Sequence, residues 1–287
     1  MTILCLGGSY TARYLARRVA TGETVLLASR RAPDLRDQGY AAVSPHEVAT
    51  LEPPPRLVVD TVPAVEVDGR VADPPYLSAV SALLERSPRT LFVHLSSTSV
   101  YPSRYQGRRG EDLPTMDEDT PPAPDRPGGE RRLALEGRLR RALPQAVVVR
   151  AGGIYGPRRS LVDRFVEGRF RAADRRNRMV SRVHVEDLGR LLLALARRER
   201  AELPSTINAV DECPSLNAHV YRFMREELGV QVPFDVERLP AEGRRIVSRH
   251  LPRLLDELRF PSYRQGFRHC MDERRKSRRD LEEGEGL

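Results

Sequence analysis

The stretch from Thr2 to Arg31 constrains this chain more than any other. Ile3, Leu4, Cys5 and Leu6 form an apolar run too short for a helix and too continuous for a half-exposed strand, the pattern of a parallel strand covered on both faces. Gly7-Gly8-Ser9-Tyr10-Thr11-Ala12 then opens a helical stretch to about Ala20, and Val25-Leu26-Leu27-Ala28 is a second buried run. Strand, glycine turn, helix and strand in this order present free N–H groups at a helix N-terminus, where an anion is favoured.

Gly7, Ser9 and Ala12 occupy the three small-residue positions of a G-x-G-x-x-G/A phosphate-binding turn, with Tyr10 and Thr11 between the last two. Ser9 replaces the middle glycine, and any side chain there crowds a phosphate. A tight βα turn needs small residues with or without a ligand, so the turn alone leaves both readings open. The end of the second strand tilts the balance. Ser29-Arg30-Arg31 stands where an NAD site carries an acid for the ribose hydroxyls, and its guanidinium groups suit a 2′-phosphate. NADP(H) is therefore preferred over NAD(H).

The same alternation continues downstream. Buried runs at Leu57–Val62, Thr90–Leu95 and Ala146–Arg150 alternate with helical stretches at 75–85 and 129–143, and a weak strand is expected at 40–43. This order predicts an α/β fold with a Rossmann-type doubly wound parallel sheet and a smaller C-terminal substrate lobe. The expected division is 1–160 for the dinucleotide-binding domain and 161–270 for the lobe, interleaved with the first and including a strand near 206–210. Helices are expected near 160–170, 186–198, 215–228 and 250–257, with Ser215 as an N-cap. Residues 102–128 read as a long loop able to close over a substrate, and 271–287 as a charged, frayed tail.

Composition narrows the class. With 6% aromatic residues and no Trp, aliphatic side chains must build the core. The net charge of +8 invites acidic partners, yet Lys276 is the sole lysine and the arginines are spread along the chain rather than gathered in a stripe, so nucleic-acid binding is disfavoured. Cys5, Cys213 and Cys270 lack C-x-x-C spacing, which argues for a reducing compartment and against disulfides or a metal site. No signal-peptide pattern and no membrane-length apolar run is present, and a cytoplasmic location is expected.

Five motifs follow one another in order: Gly7–Ala12, Leu95-Ser96-Ser97-Thr98-Ser99-Val100-Tyr101, Asp117-Glu118-Asp119-Thr120-Pro121-Pro122, Gly153-Ile154-Tyr155-Gly156-Pro157 and Arg182-Val183-His184-Val185-Glu186-Asp187. The set resembles the extended short-chain dehydrogenase/reductases, the NAD(P)-dependent epimerase/dehydratase group, and most closely an atypical YeeZ-like branch. Phe260-Pro261-Ser262-Tyr263-Arg264-Gln265-Gly266 is similar to the family's C-terminal segment. The resemblance implies an oxidoreductase or epimerase/dehydratase acting on a small polar or sugar-like substrate, and a homodimer through the helices near 75–87 and 129–142. It assigns the substrate-polarising hydroxyl to Ser97, with Thr98 beside it, and the turn near the nicotinamide to Gly156-Pro157. Val62 and Ser96, at strand ends, are assigned to the cofactor. Ser97 also suits a turn that satisfies backbone groups, and His184 and Asp187 suit a helix start as well as chemistry.

One departure bears on mechanism. The family's Tyr-x-x-x-Lys pair falls on Gly128 and Arg132, and with Lys276 the sole lysine no such pair exists anywhere. Arg132 can hold ribose or phosphate but cannot shuttle protons. Tyr105 and Tyr101 are the candidate replacement acids. The alternative to an enzyme is a non-catalytic NADP-binding redox sensor.

Overall fold

A computed structural model describes residues 1–18 and 22–284. Its centre is a seven-stranded parallel sheet: β1 (Thr2–Leu6), β2 (Thr24–Ala28), β3 (Ala42–Val43), β4 (Leu57–Asp60), β5 (Leu91–Ser97), β6 (Val147–Ala151) and β7 (Thr206–Ala209), in the order β7-β6-β5-β4-β1-β2-β3. The chain enters at β1, winds outward to β3, then returns to β4 on the other side. The doubly wound sheet is as expected, and its topological switch point lies between β1 and β4.

The helices are α1 (Tyr10–Arg18), α2 (Ala32–Asp37), α3 (Leu77–Arg86), α4 (Pro127–Ala142), α5 (Leu161–Val166), α6 (Val185–Ala196), α7 (Asn217–Leu228), α8 (Leu251–Leu254) and α9 (Tyr263–Gly284). Alternate strand residues build two cores. Ile3, Cys5, Val59, Val93 and Val149 pack with Leu15 of α1 and Leu188, Leu191 and Leu195 of α6. Leu4, Leu6, Val58 and Phe92 pack with Val80 and Leu83 of α3 and Leu135 and Leu139 of α4. Each fully buried aliphatic side chain contributes about 1.5–3 kcal/mol, so covering both faces explains the continuous apolar runs.

A smaller core of Tyr155, Phe165, Tyr221, Phe223, Met224 and Phe267 gathers α5, α7 and α9 beyond the carboxyl end of the sheet. The strand near 206–210, where the two regions were expected to interleave, is the edge strand of the main sheet, paired with β6 through Ile207↔Val149. Two expectations need correction here. The tail does not fray at Asp272, because α9 is anchored by buried Phe267 and Cys270 and carries the chain as helix to Gly284; residues 285–287 lie outside the described residues. Ser215 is not an N-cap: it lies in a two-residue strand, its hydroxyl donates to the Cys213 carbonyl, and Leu216 precedes α7.

The long loop is also tied down. Gln106–Gly107 pairs antiparallel with Ala241–Glu242, and Thr115–Met116 pairs with Arg245–Ile246. The Asp125 carboxylate accepts the N–H groups of Ser103 and Arg104, which holds it below the usual carboxylate range. Residues 102–126 therefore form a strap on the C-terminal lobe. No helix among the described residues is long and apolar enough to cross a membrane.

Candidate functional site

Apart from Gly156 and Pro157, the cofactor residues expected from the sequence lie at or just beyond the carboxyl ends of four adjacent strands. Gly7 follows β1 with φ +88°, a conformation costly for a side-chain-bearing residue. A Cβ there would stand 3.4 Å from the Thr61 hydroxyl and 3.6 Å from Val62, so the turn packs directly on the β4 end across the switch point. Ser9 Oγ accepts the Ala12 N–H at 3.2 Å, while its carbonyl accepts Arg13 N–H at 2.9 Å. Ser9 is the N-cap of α1, which explains a serine at the middle motif position. The amides of Gly8, Ser9, Tyr10 and Thr11 have no acceptor among the described residues. Four free N–H groups at a helix start, beside a glycine with positive φ, fit a pyrophosphate.

At the β2 end, Ser29 Oγ accepts the Arg31 N–H, and Arg31 Nε pairs with Asp34 at 2.8 Å. Arg30 is exposed and in no ion pair among the described residues. Of the two guanidinium groups expected to favour a 2′-phosphate, only Arg30 is free.

Ser97 ends β5, opposite Ala151. Its Oγ accepts the Ser99 N–H at 3.1 Å, leaving the hydroxyl proton available to a substrate oxygen. Ser96, one residue earlier, is unavailable: it is buried and donates to Glu136 Oε1 at 2.6 Å. Thr98 is buried with its carbonyl accepting Arg244 Nη2 at 2.8 Å. Above this turn sits α4, with Gly129 so close to Ser99 that a Cβ would lie 2.2 Å from its carbonyl oxygen. Gly128, at the position of the family's tyrosine, is exposed with open space around its missing Cβ. Arg132, one turn on, is exposed and makes no ion pair among the described residues.

The two replacement acids part company. Tyr101 is completely buried, donates to Asn208 Oδ1 at 3.0 Å and accepts from Arg150 Nη1 at 3.0 Å; burial raises its pKa, and it cannot reach a substrate. Tyr105 is 37% exposed. Its carbonyl accepts the Gly243 N–H at 2.9 Å, and Arg244, the residue after Gly243, reaches the Thr98 carbonyl through its side chain, which ties this segment to the serine turn.

On the lobe side, Gly156 admits no side chain: a Cβ would come within 2.6 Å of both the Tyr10 hydroxyl and Val185. Tyr10 donates to the Pro157 carbonyl at 3.0 Å, so the α1 start and the Gly156-Pro157 turn are one unit. Next to them opens a cavity of about 410 Å³ lined by Arg158, Arg159, Arg171, Arg178 and Arg182, none of which pairs with a carboxylate within 4 Å among the described residues. Arg182 is only 4% exposed, and the hydrogen bond recorded for it is to the Val180 carbonyl at 3.0 Å.

No family model matches the sequence, and no curated protein matches it at a significant level. Solved structures do. A conserved protein of unknown function from Silicibacter pomeroyi shares 24% identity at TM-score 0.70, over 95% of this chain and 98% of that one. A Methylobacillus flagellatus protein assigned as an NAD-dependent epimerase/dehydratase shares 23% at TM-score 0.72, over 96% and 98%. The dTDP-glucose 4,6-dehydratase of Bacillus anthracis, in complex with NAD, shares 16% at TM-score 0.68, over 96% and 97%. The fold is that of the NAD-dependent epimerases and dehydratases.

Within this epimerase/dehydratase fold, His184 and Asp187 are structural. His184 Nδ1 accepts the Glu186 N–H and caps α6, and burial pushes its pKa down to about 3. Asp187 accepts the N–H groups of Arg259 and Phe260. The sequence did not single out Glu136, Arg150, Arg244 or the cavity arginines. For Glu136 a signal existed, an acid between Leu135 and Leu139 on the core side of an arginine-rich helix; the cavity arginines are scattered over 158–182 and only the fold brings them together.

Proposed function

We propose that the protein binds NADP(H) and acts as an oxidoreductase or epimerase/dehydratase on a small substrate bearing anionic groups. The observation that carries this is the set of unpartnered amides at Gly8–Thr11 at the switch point of the sheet. When bound, the nicotinamide supplies hydride transfer. Gly7 and the α1 start hold the pyrophosphate, and Arg30 meets a 2′-phosphate. The structural neighbour from Bacillus anthracis holds NAD; the preference for NADP here rests on Arg30 and on the absence of an acid at Ser29-Arg30-Arg31.

Ser97 donates its hydroxyl proton to the substrate's reacting oxygen while the Ser99 N–H fixes the oxygen of the serine. Arg178 and Arg182 bind the substrate's anionic groups in the 410 Å³ cavity, guanidinium forks being matched to carboxylate and phosphate. Tyr105, the exposed one of the two candidate tyrosines, supplies the proton on this reading. Its replacement by Phe abolishes turnover on this reading.

A second reading has its own observation. With Gly128 and Arg132 at the proton-transfer positions and Tyr101 sequestered, the chain binds the cofactor without turnover and reports NADP redox state. Calorimetric titration with NADPH and NADH, on the wild type and Arg30→Ala, tests both. NADPH binding tighter than NADH, with that preference reduced about tenfold in Arg30→Ala, is expected; binding of neither cofactor overturns both readings. NADPH oxidation in the presence of phosphorylated or carboxylated sugars then separates enzyme from sensor.

A further inference from the structure

A second cavity, of about 660 Å³, runs between the outer face of α1 and α9. It lies behind the Gly156-Pro157 turn and uses none of Gly7, Arg30 or Ser97. Six arginines and two carboxylates, Asp163 and Glu273, line it. Arg13 and Arg17, one turn apart on α1, both stack on the ring of Tyr40, at 5.8 and 5.0 Å, and neither pairs with a carboxylate among the described residues. Two like charges at this spacing repel, and here they also converge on one ring. Arg158 adds a third unpaired guanidinium from the opposite wall and holds φ +63°, which costs a non-glycine residue about 1–2 kcal/mol.

The acids cannot balance this. Glu273 is shared between Arg18 at 3.5 Å and Lys276 at 3.2 Å. Asp163 accepts from Ser160 twice and lies 3.5 Å from Arg274. Three guanidinium groups thus face one groove without counter-charge, two of them pre-positioned by stacking so that little side-chain freedom remains to be lost on binding. Tyr40, 7% exposed, has a hydroxyl without a hydrogen-bond partner beneath them.

We infer that this groove is a second ligand site, for a molecule carrying two or more phosphate groups and of about nucleotide size. Separate guanidinium groups on two walls call for more than one oxyanion, and the volume falls within the range of small-molecule sites. Arg158 lines both this groove and the arginine-rich cavity of the lobe, so a ligand here touches a wall of the other site. The inference does not rest on the proposed function: its charges are those of Arg13, Arg17 and Arg158, and neither Arg30 nor Ser97 takes part, although Tyr10 and Pro157 border both places.

Isothermal titration with inorganic tripolyphosphate, and separately with ATP, on the full chain tests it. Arg17→Gln removes an exposed guanidinium that makes no hydrogen bond among the described residues, so the variant keeps its fold. Arg171→Gln in the lobe cavity and Arg30→Ala at the β2 end remove the same charge elsewhere. The expected result is tripolyphosphate binding weakened about tenfold by Arg17→Gln and less than twofold by the other two. Equal weakening by all three variants means diffuse attraction to a basic protein and overturns the site, as does unchanged binding in Arg17→Gln or no binding by the wild type. ATP binding tighter than tripolyphosphate identifies a nucleoside polyphosphate as the occupant; equal affinity identifies the phosphate chain itself.

Discussion

Glu136 and Arg150 meet bidentately in the interior, Nε to Oε1 at 3.2 Å and Nη2 to Oε2 at 2.8 Å, with the Glu136 side chain fully enclosed. The pair joins α4 to β6, and its partners extend it: Ser96 donates to Glu136, Arg150 to Tyr101, and Tyr101 to Asn208. The strand end that carries Ser97 and the helix that carries Gly128 and Arg132 are thereby locked together. Glu136→Ala leaves Arg150 buried and unpaired and is expected to cost about 3–5 kcal/mol, measured by urea unfolding. The double replacement by methionines is expected to recover most of that loss.

The approach of α4 to the serine turn predicts a contrast between neighbours. Gly129→Ala forces a methyl group onto the Ser99 carbonyl and should destabilise by about 1–3 kcal/mol or displace α4. Gly128→Ala meets open space and should change stability by less than about 0.5 kcal/mol. Thermal unfolding of the two variants distinguishes them directly.

Open space at Gly128 also makes the missing catalytic pair restorable. Gly128→Tyr with Arg132→Lys supplies a phenol and an ammonium one helical turn apart at the start of the helix that packs on the serine turn. If the chain is an enzyme of the proposed class, the double variant is expected to raise NADPH-dependent turnover by about 10²-fold or more, the usual contribution of a positioned general acid. Ser97→Ala in that background should remove the gain, since the substrate oxygen loses its donor. Stopped assays of NADPH absorbance report both.

The buried strands and α1, α3, α4 and α6 were legible because their apolar periodicity is set by covering both faces of one sheet, and α7 because one of its faces packs into the aromatic core of the lobe. The strap at 102–126 was not, because its order comes from side chains capping distant backbone groups, as Asp125 does for Ser103 and Arg104, and from two-residue ladders to 241–246. The helical course of α9 past Asp272 was hidden for a related reason. Its alternating charges read as a solvated tail, yet Glu273 and Arg274 find Arg18 and Glu167 on other elements. At the site, Gly7 has the positive φ that its motif position calls for, Ser9 and Ser97 each accept a backbone N–H through Oγ, and Ser96 gives its hydroxyl proton to Glu136. The N-cap of Ser9 is a local signal, whereas the partner of Ser96 lies 40 positions away, which no local pattern encodes.

Asp211 gives the fold a pH dependence of determinate sign. It lies at the end of β7, buried, with Oδ1 accepting the Cys213 N–H and Oδ2 without a partner. Burial raises its pKa to about 8 despite the nearby charge of Arg182. Between about pH 4 and 8 the folded state therefore holds a proton that the unfolded chain has released, so stability falls as pH rises through this window and levels off above it. The span corresponds to a change on the order of 5 to 6 kcal/mol. His184 acts oppositely and elsewhere: held neutral in the fold down to about pH 3, it lowers stability only as pH falls below about 6.5, where the unfolded chain takes up the proton. Asp211→Asn removes the first contribution and leaves the second. The difference in unfolding free energy between variant and wild type, measured in urea at pH 5.0, 6.5 and 8.0, is expected to grow in the variant's favour with each step; a difference independent of pH would mean that Asp211 is ionised in the native protein and shares its charge with Arg182.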